Sequence, residues 1–335
     1  MYVRVAIAAN AFDGGTLSGE GADDLHRAAA ENIAKHGRIV VGSDQEAKEL
    51  VGAILRHGKL SPSARAVWQA VLVELRKQNR WTIRTPAAAA LASISAPDDL
   101  RRHWGSDTDV AVVAPETRTV LNAVAAPDVA TAETFVHSPA LRRIRDLAED
   151  ATAEYGSPRE QFWTDVLKPL ATGALQVTLL DRYLFKALWD LDAGRHWTRR
   201  WRGEHLSWLL ERIQAVSSPG AEIRLVGMAD KSYPEHDAES TAAALRAIWA
   251  PRGVRATVTL ATPAKVSDFP HDRHIRFSTG GAVTLGAGFD RLQPERIADE
   301  DGLSWHYRSS PRAINVLRVR EERAFALRHT EAALN

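Results

Sequence analysis

The sequence predicts an α/β protein with two domains, the first of which is built on a parallel sheet. Short apolar runs alternate with segments of helical periodicity in both halves of the chain, which is typical of sheets covered by helices. The chain has 335 residues, more than one hydrophobic core usually serves. A polar stretch at residues 148–158, containing a Gly-Ser-Pro sequence, separates the halves. We therefore expect one α/β domain at residues 1–147 and another at 159–330.

The N-terminal half alternates between expected strands and helices. Apolar, β-branched runs predict strands at Tyr2–Ala9, Arg38–Val41, Trp81–Arg84 and Asp109–Ala114. Helical spacing and capping residues predict helices at Ala22–His36, Gln45–Arg56 and Pro62–Lys77, an Ala-rich helix from Pro86, and a last helix capped by Thr131. This order predicts a parallel sheet with helices on both faces.

The C-terminal half repeats the alternation and then changes character. We expect helices at Arg159–Leu170, Glu204–Val216 and Ala238–Trp249, and strands at Leu175–Leu180, Glu222–Val226 and Arg255–Ala261. Two further strands, Ile275–Ser278 and Ala282–Leu285, flank a Thr-Gly-Gly sequence that suits a tight turn. This last segment is therefore predicted to be a β-hairpin.

The composition excludes several classes of site. Lys and Arg total 43 and Asp and Glu total 42, so no overall charge attracts nucleic acid or a membrane, and any basic site must be local. There is no cysteine, which excludes disulfides, thiolate metal sites and cysteine nucleophiles. The apolar run near the N-terminus is too short for a signal sequence or a membrane span, so we expect a soluble cytoplasmic protein.

The segment His271-Asp272-Arg273 is the first candidate site. Alternate side chains of an extended segment point to one face, so His271 and Arg273 can address one anion together. The Arg273 guanidinium suits phosphate, and His271 has the chemistry of a catalytic nucleophile or proton donor. The alternative is a surface strand that carries a histidine and an ion pair between Asp272 and Arg273.

Four other residues of the C-terminal half are candidate ligand-binding residues. Gly286 and Gly288 follow the hairpin, where glycine lets backbone N–H groups approach an oxyanion; a tight bend after the strand is the alternative. Asp181 and Arg182 follow an expected buried strand, at the end of the sheet where α/β proteins bind ligands. Arg182 is expected to share the ligand with Arg273, whereas Asp181 has the alternative role of capping the next turn.

The segment RHWTRRWRGEH, residues 195–205, interleaves arginine with tryptophan. Guanidinium and indole groups together bind phosphate backbones with stacked bases, or the headgroup region of a membrane. The candidate ligand-binding residues here are Arg199, Arg200, Trp201 and Arg202. The alternative is a loop whose tryptophans pack on the next helix while its arginines stay solvated. A second basic run, residues 308–328, is interpreted as one face of a strand and a helix.

Three segments of the C-terminal half resemble a known family. HDRHIRF and LGAGFD, within residues 271–290, and LLDRYLF at residues 179–185 are similar to a phospholipase-D-like domain. This is the C-terminal domain that accompanies microtubule-interacting and trafficking (MIT) domains and also occurs in bacterial proteins. The resemblance covers residues 159–323 and implies a phospholipase-D-like α/β fold. The parent superfamily carries H-x-K-x4-D, uses the histidine as nucleophile, and builds one active site from two such motifs.

This chain departs from that pattern. Arg273 stands at the lysine position and Ser278 at the aspartate position, which weakens the case for a functioning nucleophile at His271. With one motif in the chain, an active site would need a homodimer. The eukaryotic relatives bind acidic phospholipids. The resemblance therefore implies a domain that recognises anions without a required cofactor, and we expect nucleic acid rather than acidic lipid as its partner.

Acidic residues of the N-terminal half prompt a second resemblance. The order of strand, acidic turn, helices and a strand near DTDVAVVAP is similar to a PIN-type ribonuclease domain, whose carboxylates hold Mg²⁺ or Mn²⁺. This resemblance implies metal ligands at Asp13, Glu46 and Asp109. Asn10 stands where such domains have their first aspartate, which implies a relative that binds without cutting. The alternative is a set of solvated surface carboxylates.

The sequence supports three functional hypotheses. The first is a binding module whose C-terminal domain recognises a phosphorylated ligand, while the N-terminal domain supplies a partner surface or a degenerate nuclease site. The second is a phosphodiesterase or nuclease that uses His271 in a homodimer, or metal-bound carboxylates of the N-terminal domain. The third is a structural scaffold. Bacterial proteins that combine such domains resemble components of defence against phage or plasmids, and the Ala- and Arg-rich composition suits a bacterium of high genomic GC.

Overall fold

The structure, a computed structural model, describes residues 2–12, 21–56, 61–84, 87–105, 107–121, 127–148, 152–192, 204–292, 295–297 and 302–335. Contacts divide the chain into two compact units, Tyr2–Asp146 and Leu147–Asn335, here called the N-terminal and C-terminal units. No helix in the described ranges combines the length and apolar character that a membrane span requires.

The N-terminal unit is built on a parallel β-sheet, as the sequence predicts. Its described strands are β1 (Val3–Ile7), β2 (Gly37–Val41), β3 (Trp81–Ile83), β4 (Val110–Val112) and β5 (Asp128–Ala130). They lie in the order β3-β2-β1-β4-β5, and each pairing between neighbours is parallel. The direction of winding reverses at β1, and right-handed crossovers then place helices on both faces of the sheet.

The helices of this unit start where local capping allows. The described ones are α1 (Ala22–His36), α2 (Asp44–Arg56), α3 (Pro62–Lys77), α4 (Pro97–Trp104), α5 (Pro115–Leu121) and α6 (Pro139–Ala148). At the start of α3, Ser61 Oγ accepts a hydrogen bond from Ala64 N, and Pro62 occupies the first position. The core between helices and sheet buries Phe12, Trp68, Trp104 and Phe135.

The Ala-rich segment predicted as a helix is not helical at residues 87–90. Ala88 N donates to Gly42 O, and Leu91 N donates to the Glu46 carboxylate. These contacts with the turn between β2 and α2 hold the segment in a non-helical conformation, so tertiary hydrogen bonds override the helix propensity of alanine. The helix of this region is instead α4, which starts at Pro97.

The last helix of the N-terminal unit starts later than predicted. Thr131 Oγ1 accepts a hydrogen bond from Thr134 N within a turn, and a short 3-10 helix follows at Phe135–His137. The α-helix α6 begins only at Pro139, because a proline fits the first turn of a helix and not its interior. Strand β5, just before this turn, is absent from the sequence prediction.

The C-terminal unit contains a larger, mixed sheet. Its described strands are β6 (Thr152–Ala153), β7 (Gln176–Leu180), β8 (Ala221–Met228), β9 (Val254–Ala261), β10 (Arg273–Phe277), β11 (Ala282–Leu285), β12 (Leu303–Arg308) and β13 (His329–Ala333). They lie in the order β13-β9-β8-β7-β10-β11-β12-β6. Strands β7, β8 and β9 are parallel to one another, whereas β10, β11 and β12 form antiparallel pairs.

The helices of the C-terminal unit follow the prediction in most places. Described are α7 (Arg159–Phe162), α8 (Lys168–Ala171), α9 (Lys186–Asp192), α10 (Glu204–Val216), α11 (Ala238–Ile248) and α12 (Pro311–Ala326). A π-helical turn, Trp163–Leu167, joins α7 to α8 within the segment predicted as one helix. Ser310 Oγ caps α12 by accepting a hydrogen bond from Ala313 N, and Pro311 occupies the first position.

The predicted hairpin is formed by β10 and β11. Gly280 in its turn has a φ of 90°, a backbone conformation that glycine adopts at little cost. Ser278 Oγ accepts hydrogen bonds from Leu175 N and Gln176 N, at 2.8 and 3.1 Å. The turn of the hairpin is therefore fastened to the amino end of β7.

The register of β10 on β7 positions the candidate site. The strands are antiparallel, and His274 pairs with Leu180, the last residue of β7. The start of β10 consequently lies beside the end of β7. This pairing brings Arg273 next to Asp181, two residues separated by 92 positions in the sequence.

Candidate functional site

Arg273 and Asp181 form the centre of the candidate site. The Arg273 Nε atom lies 3.6 Å from Asp181 Oδ1, and Arg273 Nη1 donates to Gly286 O at 3.2 Å. The buried Asp181 carboxylate also accepts hydrogen bonds from Tyr183 N at 2.9 Å and Phe289 N at 3.5 Å. Asp181 thus caps the turn after β7 and holds the Arg273 guanidinium in one orientation.

Burial dominates the protonation behaviour of Asp181. Removal from water raises the pKa of this carboxyl, while the N–H of Tyr183 and the charge of Arg273 oppose that rise. Arg273 therefore helps to keep the buried carboxylate ionised. Loss of the guanidinium would favour protonation of Asp181. The site would then lose its positioned cation and its ionised carboxylate together.

A cleft of about 570 Å³, here called the cationic cleft, lies where β10, β11 and β12 meet the first half of α12. Its charged lining consists of Arg273, Arg308, Arg312, Arg320 and Asp272, and His271 and His306 add two imidazoles. The lining therefore has four guanidinium groups and one carboxylate. Guanidinium groups present planar, rigid donors that match phosphate oxygens, so this lining favours a phosphate-bearing anion.

The four arginines differ in their partners. Arg320 Nη1 lies 2.7 Å from Asp272 Oδ1, and Arg273 is held by Asp181. Within the described ranges, neither Arg308 nor Arg312 has a carboxylate at salt-bridge distance, and both side chains are exposed. They flank the capped N-terminus of α12, where the helix dipole adds positive potential. The unneutralised charge of the cleft is concentrated at this helix end.

A buried ionic cluster joins α12 to β10, two of the elements that line the cationic cleft. The Glu321 carboxylate of α12 accepts from Arg276 Nε and Nη2, at 2.7 and 2.6 Å, and lies 3.0 Å from His274 Nε2. Burial acts to raise the pKa of Glu321, but the hydrogen bonds and charges of His274 and Arg276 outweigh it, so the pKa lies below its ordinary value. The cluster fastens α12 to β10 and so sets the position of one wall of the cationic cleft.

A second cleft of about 560 Å³, here called the mixed-charge cleft, lies beside the first. Its lining includes acidic side chains at Asp181, Asp190 and Asp290, basic ones at Lys186, Arg273 and Arg291, and the aromatic side chain of Tyr183. Burial lowers the pKa of His205, also in this lining, to about 3, so its imidazole is neutral at neutral pH. Arg273 and Gly286 line both clefts, which therefore meet at these two residues.

The structure brings His271 and Arg273 together in the cationic cleft, as their spacing predicts. The His271 side chain is exposed, and no described residue forms a hydrogen bond or ion pair with its ring. Ser278 lies at the opposite end of β10, where its hydroxyl serves the start of β7. The described part of the chain thus offers no group that orients His271 for nucleophilic attack.

The candidate glycine Gly286 uses its N–H within the sheet, whereas the role expected of the Gly288 N–H stays a prediction. Gly286 N donates to Ser304 O, so the group that Gly286 presents to Arg273 is its carbonyl and not its N–H. A Cβ at Gly288 would clash with Asp290 Oδ1 and would lie 3.5 Å from Asp181 Oδ2. Both glycines line the mixed-charge cleft, and a side chain at either position would require the Ser304 or Asp290 side chain to move.

Arg182 lines neither cleft. Its Nη2 donates to Phe269 O at 2.8 Å, just before β10, and its own carbonyl accepts from Met228 N. The Asp181 carboxylate therefore contacts Arg273, whereas the Arg182 guanidinium contacts the Phe269 carbonyl. The structure does not bring Arg182 together with Arg273 in either cleft.

Several candidates lie outside the described residues, namely Asp13, Arg199, Arg200, Trp201 and Arg202. The described residues on either side of the Arg- and Trp-rich segment can be placed. Asp190, near the end of α9, and His205, near the start of α10, both line the mixed-charge cleft.

The proposed metal ligands Glu46 and Asp109 lie at opposite edges of the N-terminal sheet. Glu46 follows the carboxyl end of β2, whereas Asp109 precedes β4 and pairs with Arg4, whose Nη2 lies 2.7 Å from its Oδ1. The strands are parallel, so these positions are a full strand length apart. Among the described residues no group of three or more His, Asp or Glu side chains is arranged to hold a metal ion.

Glu46 has a structural role in the N-terminal unit. One carboxylate oxygen accepts from Gly42 N at 2.5 Å and the other from Leu91 N at 2.6 Å, and burial raises the pKa of this carboxyl despite both bonds. We expect Glu46→Ala to destabilise the unit by about 2 to 5 kcal/mol, because two buried N–H groups lose their acceptor. Urea denaturation measures this loss.

The exposed Glu49, one turn further along α2, provides the matched control. Glu49→Ala is expected to change the free energy of unfolding by less than about 0.5 kcal/mol. If the two variants were equally stable and Glu46→Ala instead lost tight Mn²⁺ binding, the structural assignment of Glu46 would be wrong.

Comparison with known proteins adds no assignment. No family model matches the chain, and no curated protein matches it. The sequence pattern does not predict Arg308, Arg312, Arg320 or His306 in this cleft. The three arginines belong to the basic run at residues 308–328, which is interpreted as one face of a strand and a helix, and His306 lies outside that run. Two arginines that flank a Ser-Pro helix start, as in RSSPR at residues 308–312, are the signal for such a site.

Proposed function

We propose that the C-terminal unit binds phosphate groups of nucleic acid in the cationic cleft. The observation that carries this proposal is the pair Arg308 and Arg312, which lack a carboxylate partner among the described residues and flank the N-terminus of α12. Two exposed guanidinium groups without a carboxylate partner among the described residues give this concavity a positive potential that attracts anions. Arg273, held by Asp181, adds a third guanidinium in a fixed orientation.

The arrangement favours recognition over hydrolysis. His271 lines the cleft, but the described residues supply no carboxylate that would orient it as a nucleophile or base. The proposed relation to phospholipase-D-like domains is supported by the mixed α/β sheet and by the juxtaposition of the HDR and LLD segments. In this proposal the unit keeps the phosphate-binding part of such a site.

For the N-terminal unit we propose a relation to PIN-type domains. Its support is the five-stranded parallel sheet formed by the described strands. The two described candidate metal ligands, Glu46 and Asp109, are used in structural bonds. A surface that binds a partner is therefore the role proposed for this unit.

The proposal is tested with labelled single- and double-stranded DNA and RNA, incubated with Mn²⁺ or with EDTA, and scored for both retention and cleavage. We expect retention without cleavage in the wild type and in His271→Ala. Metal-independent cleavage that His271→Ala abolishes would show a phosphodiesterase instead. Cleavage that requires Mn²⁺ would implicate the carboxylates of the N-terminal unit.

Arg273→Ala is expected to abolish retention, because it removes the guanidinium that both clefts share. The buried Asp181 then loses its cation, so this variant also loses stability, unlike a substitution of an exposed arginine. The double variant Arg273→Ala, Asp181→Asn removes the buried charge and is expected to recover stability but not binding. Thermal unfolding and retention, measured on both variants, separate the two effects. Retention by a folded double variant would contradict the role of Arg273.

A further inference from the structure

The two clefts of the C-terminal unit differ sharply in chemistry although they share a border. The cationic cleft has four guanidinium groups and one carboxylate, whereas the mixed-charge cleft has acidic and basic side chains in similar number. Arg273 and Gly286 line both. A ligand bound across this border would carry a strongly anionic group at one end and a polar, largely uncharged group at the other.

The mixed-charge cleft has the groups that contact a nucleoside. Asp290 and the Asp190 oxygen that does not accept from the Tyr233 hydroxyl can accept hydrogen bonds from ribose hydroxyls or base amino groups. Lys186 supplies a donor for base carbonyls and ring nitrogens. The Tyr183 side chain lines the same cleft and is 44 % exposed. An exposed aromatic ring beside a phosphate site is suited to stack on an unpaired base.

The lining is less suited to the other phosphate-bearing ligands. A free phosphate would occupy the cationic cleft alone and leave the second cleft unexplained. A lipid would require an apolar channel for its acyl chains, whereas the mixed-charge cleft is lined largely by ionisable side chains. The base of a nucleotide in a duplex is paired and stacked, so it would have to leave the stack before it could enter the cleft.

We propose that the mixed-charge cleft holds the nucleoside of an unpaired nucleotide, with the Tyr183 ring against the base, while the phosphate lies in the cationic cleft. This inference rests on the proposed function and specifies its ligand as an unpaired nucleotide, in a single strand or free. Arg273 at the border contacts the phosphate and so fixes the position of the nucleoside. Tyr183 is then a specificity residue that selects unpaired nucleotides.

The test measures binding of a fluorescent single-stranded oligonucleotide and of the duplex with the same sequence, by polarisation at fixed salt. Adenosine monophosphate and inorganic phosphate are used as competitors. Single strands are expected to bind at least about tenfold more tightly than the duplex, and Tyr183→Ala to weaken single-strand binding about tenfold. Adenosine monophosphate is expected to compete at lower concentration than inorganic phosphate, because its nucleoside adds contacts in the mixed-charge cleft; equal competition by both would contradict the nucleoside site.

Tyr183→Phe is the matched control. It keeps the ring and is expected to bind single strands like the wild type, whereas inorganic phosphate is expected to compete equally well against the wild type and both variants. Tyr183 is an exposed surface residue, so neither variant is expected to alter thermal unfolding by more than a small amount.

The outcomes distinguish this inference from the proposed function. Equal binding of single strand and duplex, with no effect of Tyr183→Ala, would overturn the nucleoside site while leaving phosphate binding by the cationic cleft intact. Absence of binding to every nucleic acid and nucleotide would overturn both.

Discussion

The double variant Arg308→Gln, Arg312→Gln is expected to bind single-stranded nucleic acid at least roughly 100-fold more weakly than the wild type. Each lost hydrogen bond to a charged phosphate costs about 1.5 to 3 kcal/mol, and two such losses exceed two factors of ten in affinity. Both arginines are exposed and have no carboxylate partner within the described ranges. Their replacement should therefore leave the stability of the unit unchanged.

The salt dependence of binding measures the same contacts independently. Each phosphate contact contributes about 0.7 to the slope of log K against log salt for a single strand, so the double variant should lower the slope by about 1.4. The control is Arg318→Gln, Arg323→Gln, which removes two exposed charges from the same helix but none from the lining of the cleft. An equal loss of affinity in both double variants would show that the charge of α12 acts nonspecifically and would contradict the assigned cleft.

Glu321→Ala is expected to destabilise the C-terminal unit by about 3 to 5 kcal/mol, the largest effect on stability that we predict. The substitution leaves the Arg276 guanidinium buried without its carboxylate and removes the acceptor of His274, which is fully buried. Urea denaturation followed by tryptophan fluorescence measures the change. The neighbouring Glu322 is exposed, so Glu322→Ala should have little effect. Similar losses in both variants would contradict the structural role of the ionic cluster.

The same cluster predicts how stability depends on pH. The pKa of Glu321 lies below its ordinary value of 4.5, since Arg276 and His274 stabilise the ionised form more than burial destabilises it. The unfolded chain therefore takes up a proton at this position at a higher pH than the folded one. The contribution to stability is complete above 4.5 and is lost as the pH falls through the lower, folded pKa. The difference in stability between the wild type and Glu321→Gln should therefore shrink below pH 4.5 and stay constant above it.

Local sequence signals predicted the first and last residues of several helices and strands. The bounds of α1, α3, α10 and β11 agree with the sequence prediction. In α3 the reason is visible, because the Ser61 cap and Pro62 lie next to each other in the chain and need no distant partner. The Ala-rich segment at residues 87–90 shows the opposite case, since its conformation depends on Gly42 and Glu46.

The candidate site was predicted only in part for the same reason. The pair His271 and Arg273 follows from strand alternation, a local rule, and the structure places both in one cleft. Arg182 and Asp181 follow the same strand, which predicts a shared ligand, but the Asp181 carboxylate contacts Arg273 whereas the Arg182 guanidinium donates to Phe269 O. The metal assignment paired Glu46 with Asp109 although these residues flank opposite ends of parallel strands.

By itself, the sequence determined the α/β class, most helices, the hairpin and the extended HDR segment, because these depend on propensity, capping and alternation among residues close in the chain. Only the tertiary structure decided that Arg308 and Arg312 complete the site around Arg273. Sheet order and register bring these arginine side chains into one cleft. They depend on pairings such as β10 with β7 and β11 with β12. Such pairings join residues far apart in sequence, and no local pattern encodes which strand lies next to which.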